Sequence, residues 1–178
     1  MAGRMSKKTR LIIIVILIIA VVAIVGIALS RNSSSPSDLT LPIITWDETT
    51  LSTLEGTPVV LNFWSISCYW CRQQLPYLEN VAQQSGGEIK VIAINMADNV
   101  ANIQKFFGDY EPTMMIALDK NREAFVDYCL AYNNTRKAIP FTLFVDSEGL
   151  VQYVKIGAFS SEEELWDTLD SVFETTVP

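Results

Sequence analysis

An α/β sandwich around a central sheet is the fold class that this sequence predicts, and three observations predict it. Short apolar runs of strand length alternate with longer segments of helical period through residues 59–132. Two further strand-like runs, 141–145 and 150–156, are joined by Asp146-Ser147-Glu148-Gly149, a hairpin signal with Gly last. A final amphipathic segment then closes the chain. Alternation followed by a hairpin and a helix gives a mixed sheet covered by helices.

Ahead of that domain, residues 11–29 read LIIIVILIIAVVAIVGIAL, with no charged or polar side chain. At about 1.5 Å per residue this run covers roughly 30 Å, the hydrocarbon thickness of a bilayer. Core helices rarely run so long without a polar face, so a membrane span is predicted. Arg4, Lys7, Lys8 and Arg10 precede it and only Arg31 closely follows, which puts the N-terminus in the cytoplasm and the rest outside. The rival is a cleaved signal peptide. Its apolar region is usually about 7–15 residues long, and Ala28-Leu29-Ser30 is a poor cleavage site, so an uncleaved anchor is expected. No Cys precedes Cys68, so the run ends without a residue for lipid attachment. The organisation expected is a basic cytoplasmic tail (1–10), a transmembrane helix (11–29), a Ser-rich linker (30–38) and an extracytoplasmic domain (39–178).

Beyond Arg31 stand 8 Lys/Arg against 20 Asp/Glu. A domain this acidic is a poor partner for nucleic acid and is repelled by anionic head groups, so residues 11–29 must provide the attachment to the lipid bilayer. There is no His, which removes Ser-His and Cys-His catalysis and imidazole acid–base work. With three Cys in all, a closed four-ligand zinc site is not expected, and neither is any cofactor.

Along the domain, 41–46 reads as a short strand and 50–56 as a loop punctuated by Gly56-Thr57-Pro58. Residues 59–64 (VVLNFW) and 91–95 (VIAIN) read as strands buried on both faces. Between them a helix is expected from about Tyr69 to Gln84, kinked by Pro76 and ended by Ser85-Gly86-Gly87. Helices are predicted over 99–110 and 121–132, the latter begun near Asp119, with a strand over 114–118 between them. Ser161 and Glu164 have capping-box spacing at the start of the last helix, whose apolar face is Leu165, Leu169, Val172 and Phe173.

The chemistry is carried by Cys68-Tyr69-Trp70-Cys71 at the turn from strand to helix. The first sulfur lies at a helix N-terminus, where unpaired N–H groups and the helix dipole favour negative charge. The second is close enough to resolve a mixed disulfide intramolecularly. C-x-x-C without a second pair or a His points to redox work rather than zinc.

Gly56-Thr57-Pro58 with the strand after it, Cys68, Cys71, the run from Arg72 to Leu78, and Ile139-Pro140 followed by FTLFVD and Gly149 together resemble the thioredoxin superfamily. Within it they resemble the membrane-anchored TlpA/ResA-like disulfide reductases, over residues 41–176. The resemblance implies a thioredoxin-like fold, Cys68 as attacking thiol, Cys71 as resolving thiol and Pro140 as a cis-proline facing them. It implies that Ile139 offers backbone groups to a bound substrate strand. From the residues themselves, Tyr69 and Trp70 beside the dithiol are candidate substrate contacts, with packing as the other reading of Trp70. It also implies exported disulfide proteins as substrates, cytochrome c maturation as a setting, and electrons from another membrane protein.

The sequence departs from that pattern at three places. Tyr69-Trp70 is bulky and uncharged. Asn62 stands where cytosolic thioredoxins carry a buried Asp, leaving Glu79 or Glu111 to substitute. Phe141 follows the proline where some relatives have Thr. Elsewhere Cys129 reads as a buried thiol, with a third redox thiol as the sharper reading; Trp64 and Met114-Met115 read as core. Two other functions remain open from the residues. A thiol peroxidase would need a Pro-x-x-x-Ser/Thr-x-x-Cys neighbourhood that Cys68 lacks, and a copper-delivery module would use the two thiolates as soft ligands.

Overall fold

The computed structural model describes residues 40–41, 49–50, 54 and 56–173. The predicted span at 11–29 and the linker lie outside them. Among the described residues no helix is long and apolar enough to cross a membrane.

Strands β1 (Thr40–Leu41) and β2 (Thr49–Thr50) form a small antiparallel pair, so a strand falls at the start of the expected 50–56 loop. The main elements are β3 (Val59–Trp64), α1 (Tyr69–Gln84), β4 (Lys90–Asn95), α2 (Val100–Phe107), β5 (Met115–Leu118), α3 (Glu123–Ala131), β6 (Phe141–Val145), β7 (Val151–Ile156) and α4 (Glu162–Phe173). One five-stranded sheet has the order β5-β4-β3-β6-β7. β3, β4 and β5 run parallel, and β6 and β7 run antiparallel to their neighbours. This is a thioredoxin-like mixed α/β fold.

β3 is buried along its whole length because both sheet faces are covered. Val60 and Trp64 face one core with Leu75 and Leu78 of α1, Ile103 of α2, and Leu165 and Leu169 of α4. Leu61 and Phe63 face the other core, under Phe125 and Tyr128 of α3. There the Phe63 ring lies 5.5 Å from Phe125, 5.6 Å from Tyr128 and 5.9 Å from Phe141. Each side chain so buried contributes about 1.5–3 kcal/mol. Met114 is core at 2% exposure, and Met115 is only partly buried.

Helix ends are set by local polar groups. α2 is shorter than the apolar pattern suggests: Asn99 Oδ1 accepts from Asn102 N at its start, and Gly108 ends it at φ 61. α3 starts later than expected, because residues 119–122 form a turn ending at Arg122 with φ 60. Asp119 still serves the helix, its Oδ2 accepting from Phe125 N at 2.8 Å. The hairpin turn closes on Gly149 at φ 80, a conformation that glycine adopts without strain, and Asp146 Oδ1 accepts from Glu148 N and Leu150 N.

At α4, Ser161 Oγ accepts from Glu164 N at 3.2 Å, half of the expected capping box. The reciprocal bond goes one residue further back, from Ser160 N to Glu164 Oε2 at 2.7 Å. The hydrogen bond from Lys155, then those from Ser160, hold the Glu164 carboxyl down to about 2 from an ordinary 4.5. A lowered carboxyl stabilises the fold above about pH 4.5, and that contribution is lost as pH falls toward 2. The Glu164 side chain is 34% exposed, so Glu164→Gln is expected to cost only about 0.5–1 kcal/mol at pH 7. Urea unfolding of both forms should show that gap closing between pH 4.5 and 2; a gap of the same size at both ends contradicts the assignment.

Candidate active site

Cys68 and Cys71 form a disulfide, with their Cα atoms 5.3 Å apart. Cys68 is the N-cap of α1, in extended conformation, and its Sγ accepts from Cys71 N at 3.1 Å. That N–H of the first helical turn, together with the positive end of the helix dipole, favours negative charge on this sulfur. The two sulfurs differ in access: Cys71 is 1% exposed, whereas Cys68 is only partly buried.

The turn that presents Cys68 is held from two sides. Arg72 Nη1 donates to Ile66 O at 2.8 Å, and Ile66 N donates to Asp98 Oδ2 at 2.8 Å. Asn95, buried at the C-terminal end of β4, donates through Nδ2 to the same Asp98 oxygen and accepts through Oδ1 from Ala97 N and Asp98 N. The ends of two adjacent parallel strands are thereby tied together beneath the dithiol. Sequence reading missed Asn95 and Asp98; a lone Asn closing an apolar strand, with Asp three residues on, was the available signal.

Across from the disulfide, the Ile139–Pro140 peptide bond is cis and Pro140 is buried. Ile139 O lies 3.8 Å from Cys68 Sγ. In the disulfide that sulfur has no proton to donate, so this is a contact; reduction supplies an S–H that can donate to the carbonyl. Pro140 O accepts from Gly157 N at 2.9 Å. Tyr69 and Trp70 stand out from the first turn of α1, 55% and 64% exposed, with their rings edge to face at 5.1 Å. Trp64 is fully buried below, against Phe106 and Phe107.

Asn62 is buried on the same sheet face as α1, and its Nδ2 donates to Thr142 Oγ1 at 2.8 Å. Gln74 Nε2 donates to that hydroxyl at 3.2 Å, and Gln74 Oε1 accepts from Phe159 N at 3.0 Å. This neutral network joins β3, β6, α1 and the segment before α4. Neither expected acid joins it. Glu111 is exposed. Glu79 lies eight residues beyond Cys71, about 12 Å along the helix, and is turned to the segment before β5. It accepts from Thr113 N, Met114 N, Tyr110 Oη and Gln83 Nε2. Burial pushes its carboxyl up, but the bonds from Thr113, Met114, Tyr110 and Gln83 outweigh that and hold it below the usual range. Glu79 is therefore a structural acceptor rather than a base for Cys71. It also lines a groove of about 460 Å³ between α1 and α2, which flanks the disulfide without containing it.

Cys129 is 2% exposed inside the α3-side core, and burial pushes its thiol up. Among the described residues no group of three His, Cys, Asp or Glu side chains is placed to hold a metal ion.

A protein-family model described as the AhpC/TSA family matches residues 35–154. The chain is similar to the thioredoxin-like protein YneN of Bacillus subtilis, 24% identical over 77% of this chain and 78% of that protein. It is similar to the thiol-disulfide oxidoreductase ResA of Oceanobacillus iheyensis, 28% identical over 62% of this chain but only 55% of that one. In fold it resembles the crystal structure of a thiol-disulfide isomerase from Corynebacterium glutamicum, with a TM-score of 0.67 at 16% identity over 82% of this chain and 99% of that one.

Proposed function

This chain belongs to the AhpC/TSA family, and from that premise we propose that it is a membrane-anchored thiol–disulfide oxidoreductase of the ResA-like kind, acting outside the cytoplasm on disulfides of exported proteins. The observation that carries the reading is the Cys68–Cys71 disulfide at the N-terminus of α1, with Ile139 O 3.8 Å from the more accessible sulfur. Relatives named thiol-disulfide oxidoreductase and thiol:disulfide interchange protein support it.

The mechanism starts from the reduced dithiol. Cys68 thiolate attacks one sulfur of the substrate disulfide; the new S–S bond joins enzyme to substrate, and the other substrate sulfur leaves as a thiolate and takes up a proton. Cys71 loses its proton and attacks Cys68 Sγ, expelling the second substrate thiolate. Two electrons pass to the substrate, and the Cys68–Cys71 disulfide remains. A membrane electron donor restores the dithiol. Residues 11–29 form the anchor, with the N-terminus cytoplasmic, and c-type cytochrome maturation is the setting proposed for the substrate.

The test of direction is the reduction potential of the Cys68/Cys71 pair in defined thiol buffers. A reductase is expected near the thioredoxin value of about −270 mV, and a value near −120 mV would make the protein a disulfide-forming oxidase instead.

A further inference from the structure

Asn134 lies in the bend between α3 and the Ile139–Pro140 bond and is 2% exposed. Its Nδ2 donates to Ala138 O at 2.9 Å, and its Oδ1 accepts from Ala138 N at 3.0 Å. Its backbone N donates to Cys129 O at 2.9 Å, and its backbone O accepts from Lys137 N at 2.9 Å. One buried carboxamide thus grips both polar groups of Ala138 while its backbone is tied to α3. Asn133 and Lys137 within the same bend have φ 58 and 51, a region that side-chain-bearing residues occupy only when their surroundings hold them there.

The consequence reaches Ile139 through peptide planarity. Ala138 O and the Ile139 N–H belong to one trans peptide unit, so they point in opposite directions in one plane. Fixing Ala138 O therefore fixes where the Ile139 N–H points. On the other side, the bond from Gly157 N to Pro140 O fixes the following unit. Ile139 is held between these two anchors, with its carbonyl against Cys68 Sγ.

We propose that Asn134 is a positioning residue for substrate recognition: its carboxamide sets the Ile139 backbone so that it can pair with an extended segment of the disulfide-bearing protein. This rests on the oxidoreductase reading above. A substrate segment that pairs with Ile139 draws on the anchor, whereas a small disulfide that reaches only Cys68 does not.

Two reactions of the reduced protein separate these demands: turnover of a disulfide-bonded peptide, and reaction with 4,4′-dithiodipyridine. Asn134→Ala should raise KM for the peptide about five- to tenfold, the scale of one net hydrogen bond, with kcat little changed. The small disulfide should react within about twofold of the native rate. Asn134→Ser is neutral and too short to span both polar groups of Ala138, so it too should raise KM, without placing a charge at this buried position. If Asn134→Ala fails to fold, Asn134→Ser decides alone. Native KM in the folded variants overturns the proposal, as does an equal slowing of both reactions, which would mean that the dithiol itself had moved. Failure of the native protein to reduce the peptide while it reacts with the small disulfide overturns the oxidoreductase reading instead, and this inference with it.

Discussion

Cys68→Ser is expected to abolish turnover of a peptide disulfide, and Cys71→Ser is expected to stop the reaction at a covalent enzyme–substrate complex. The asymmetry follows from where the two sulfurs sit. Cys68 is the partly exposed one, at the end of α1, and a serine oxygen there cannot form the S–S bond on which the exchange depends. Cys71 is 1% exposed, so an incoming disulfide cannot reach it directly. Its work is intramolecular, and without it the mixed disulfide at Cys68 has no resolving thiol. Non-reducing electrophoresis and intact-mass measurement on both variants read the outcome. Full activity in either variant, or substrate trapped on Cys71 in Cys68→Ser, would sink the mechanism.

Glu79→Ala is expected to destabilise the domain well beyond an ordinary surface substitution. It leaves the backbone N–H groups of Thr113 and Met114 and the Tyr110 hydroxyl without their acceptor, at a site 7% exposed. Met114 N–H is stranded in a buried place, whereas Thr113 and Tyr110 are exposed residues whose donors can turn to water. The cost is therefore about 1–3 kcal/mol, which for a domain of this size lowers Tm by roughly 3–9 °C. Glu79→Gln keeps one acceptor oxygen and should cost less than half as much. The sign with pH is fixed by the lowered carboxyl: its contribution is complete above the ordinary value of 4.5 and is lost as pH falls through the lowered one. Thermal melting of native protein and Glu79→Gln should therefore converge in acid. A native-like Tm in Glu79→Ala at pH 7 would show that the segment before β5 does not depend on this carboxylate.

Much of the site was legible before any fold was known. The dithiol is three residues across, so its spacing alone brings the sulfurs together at a helix start. β3 and β4 were legible because burial on both faces demands an unbroken apolar run. β6 matched its predicted bounds, 141–145, for the same reason. The helix ends were less legible: α2 and α3 stop or start where Gly108 and Arg122 take positive φ, a choice that apolar period does not encode. Ile139 and Pro140 stood out only through family resemblance, since an isolated X-Pro pair has no local signal for what it faces.

Glu79 shows why the remainder was hidden. In the sequence it is an acid near a dithiol, and proton transfer was a reasonable role to weigh. Its partners Tyr110, Thr113 and Met114 lie more than thirty residues away, and they turn it into a structural acceptor. Asn95, Asp98 and Asn134 are likewise ordinary turn residues until strand order decides what lies beside them.

By itself the sequence determined the α/β class, the reactive pair, and the absence of imidazole chemistry, because these depend on composition, period and short spacing. The tertiary structure alone decided which sulfur is exposed, which carbonyl faces it, which acid is structural and which amide holds the cis-proline loop. Those are contacts between residues far apart in the chain, made when β6 enters the sheet antiparallel beside β3, and no local pattern records them.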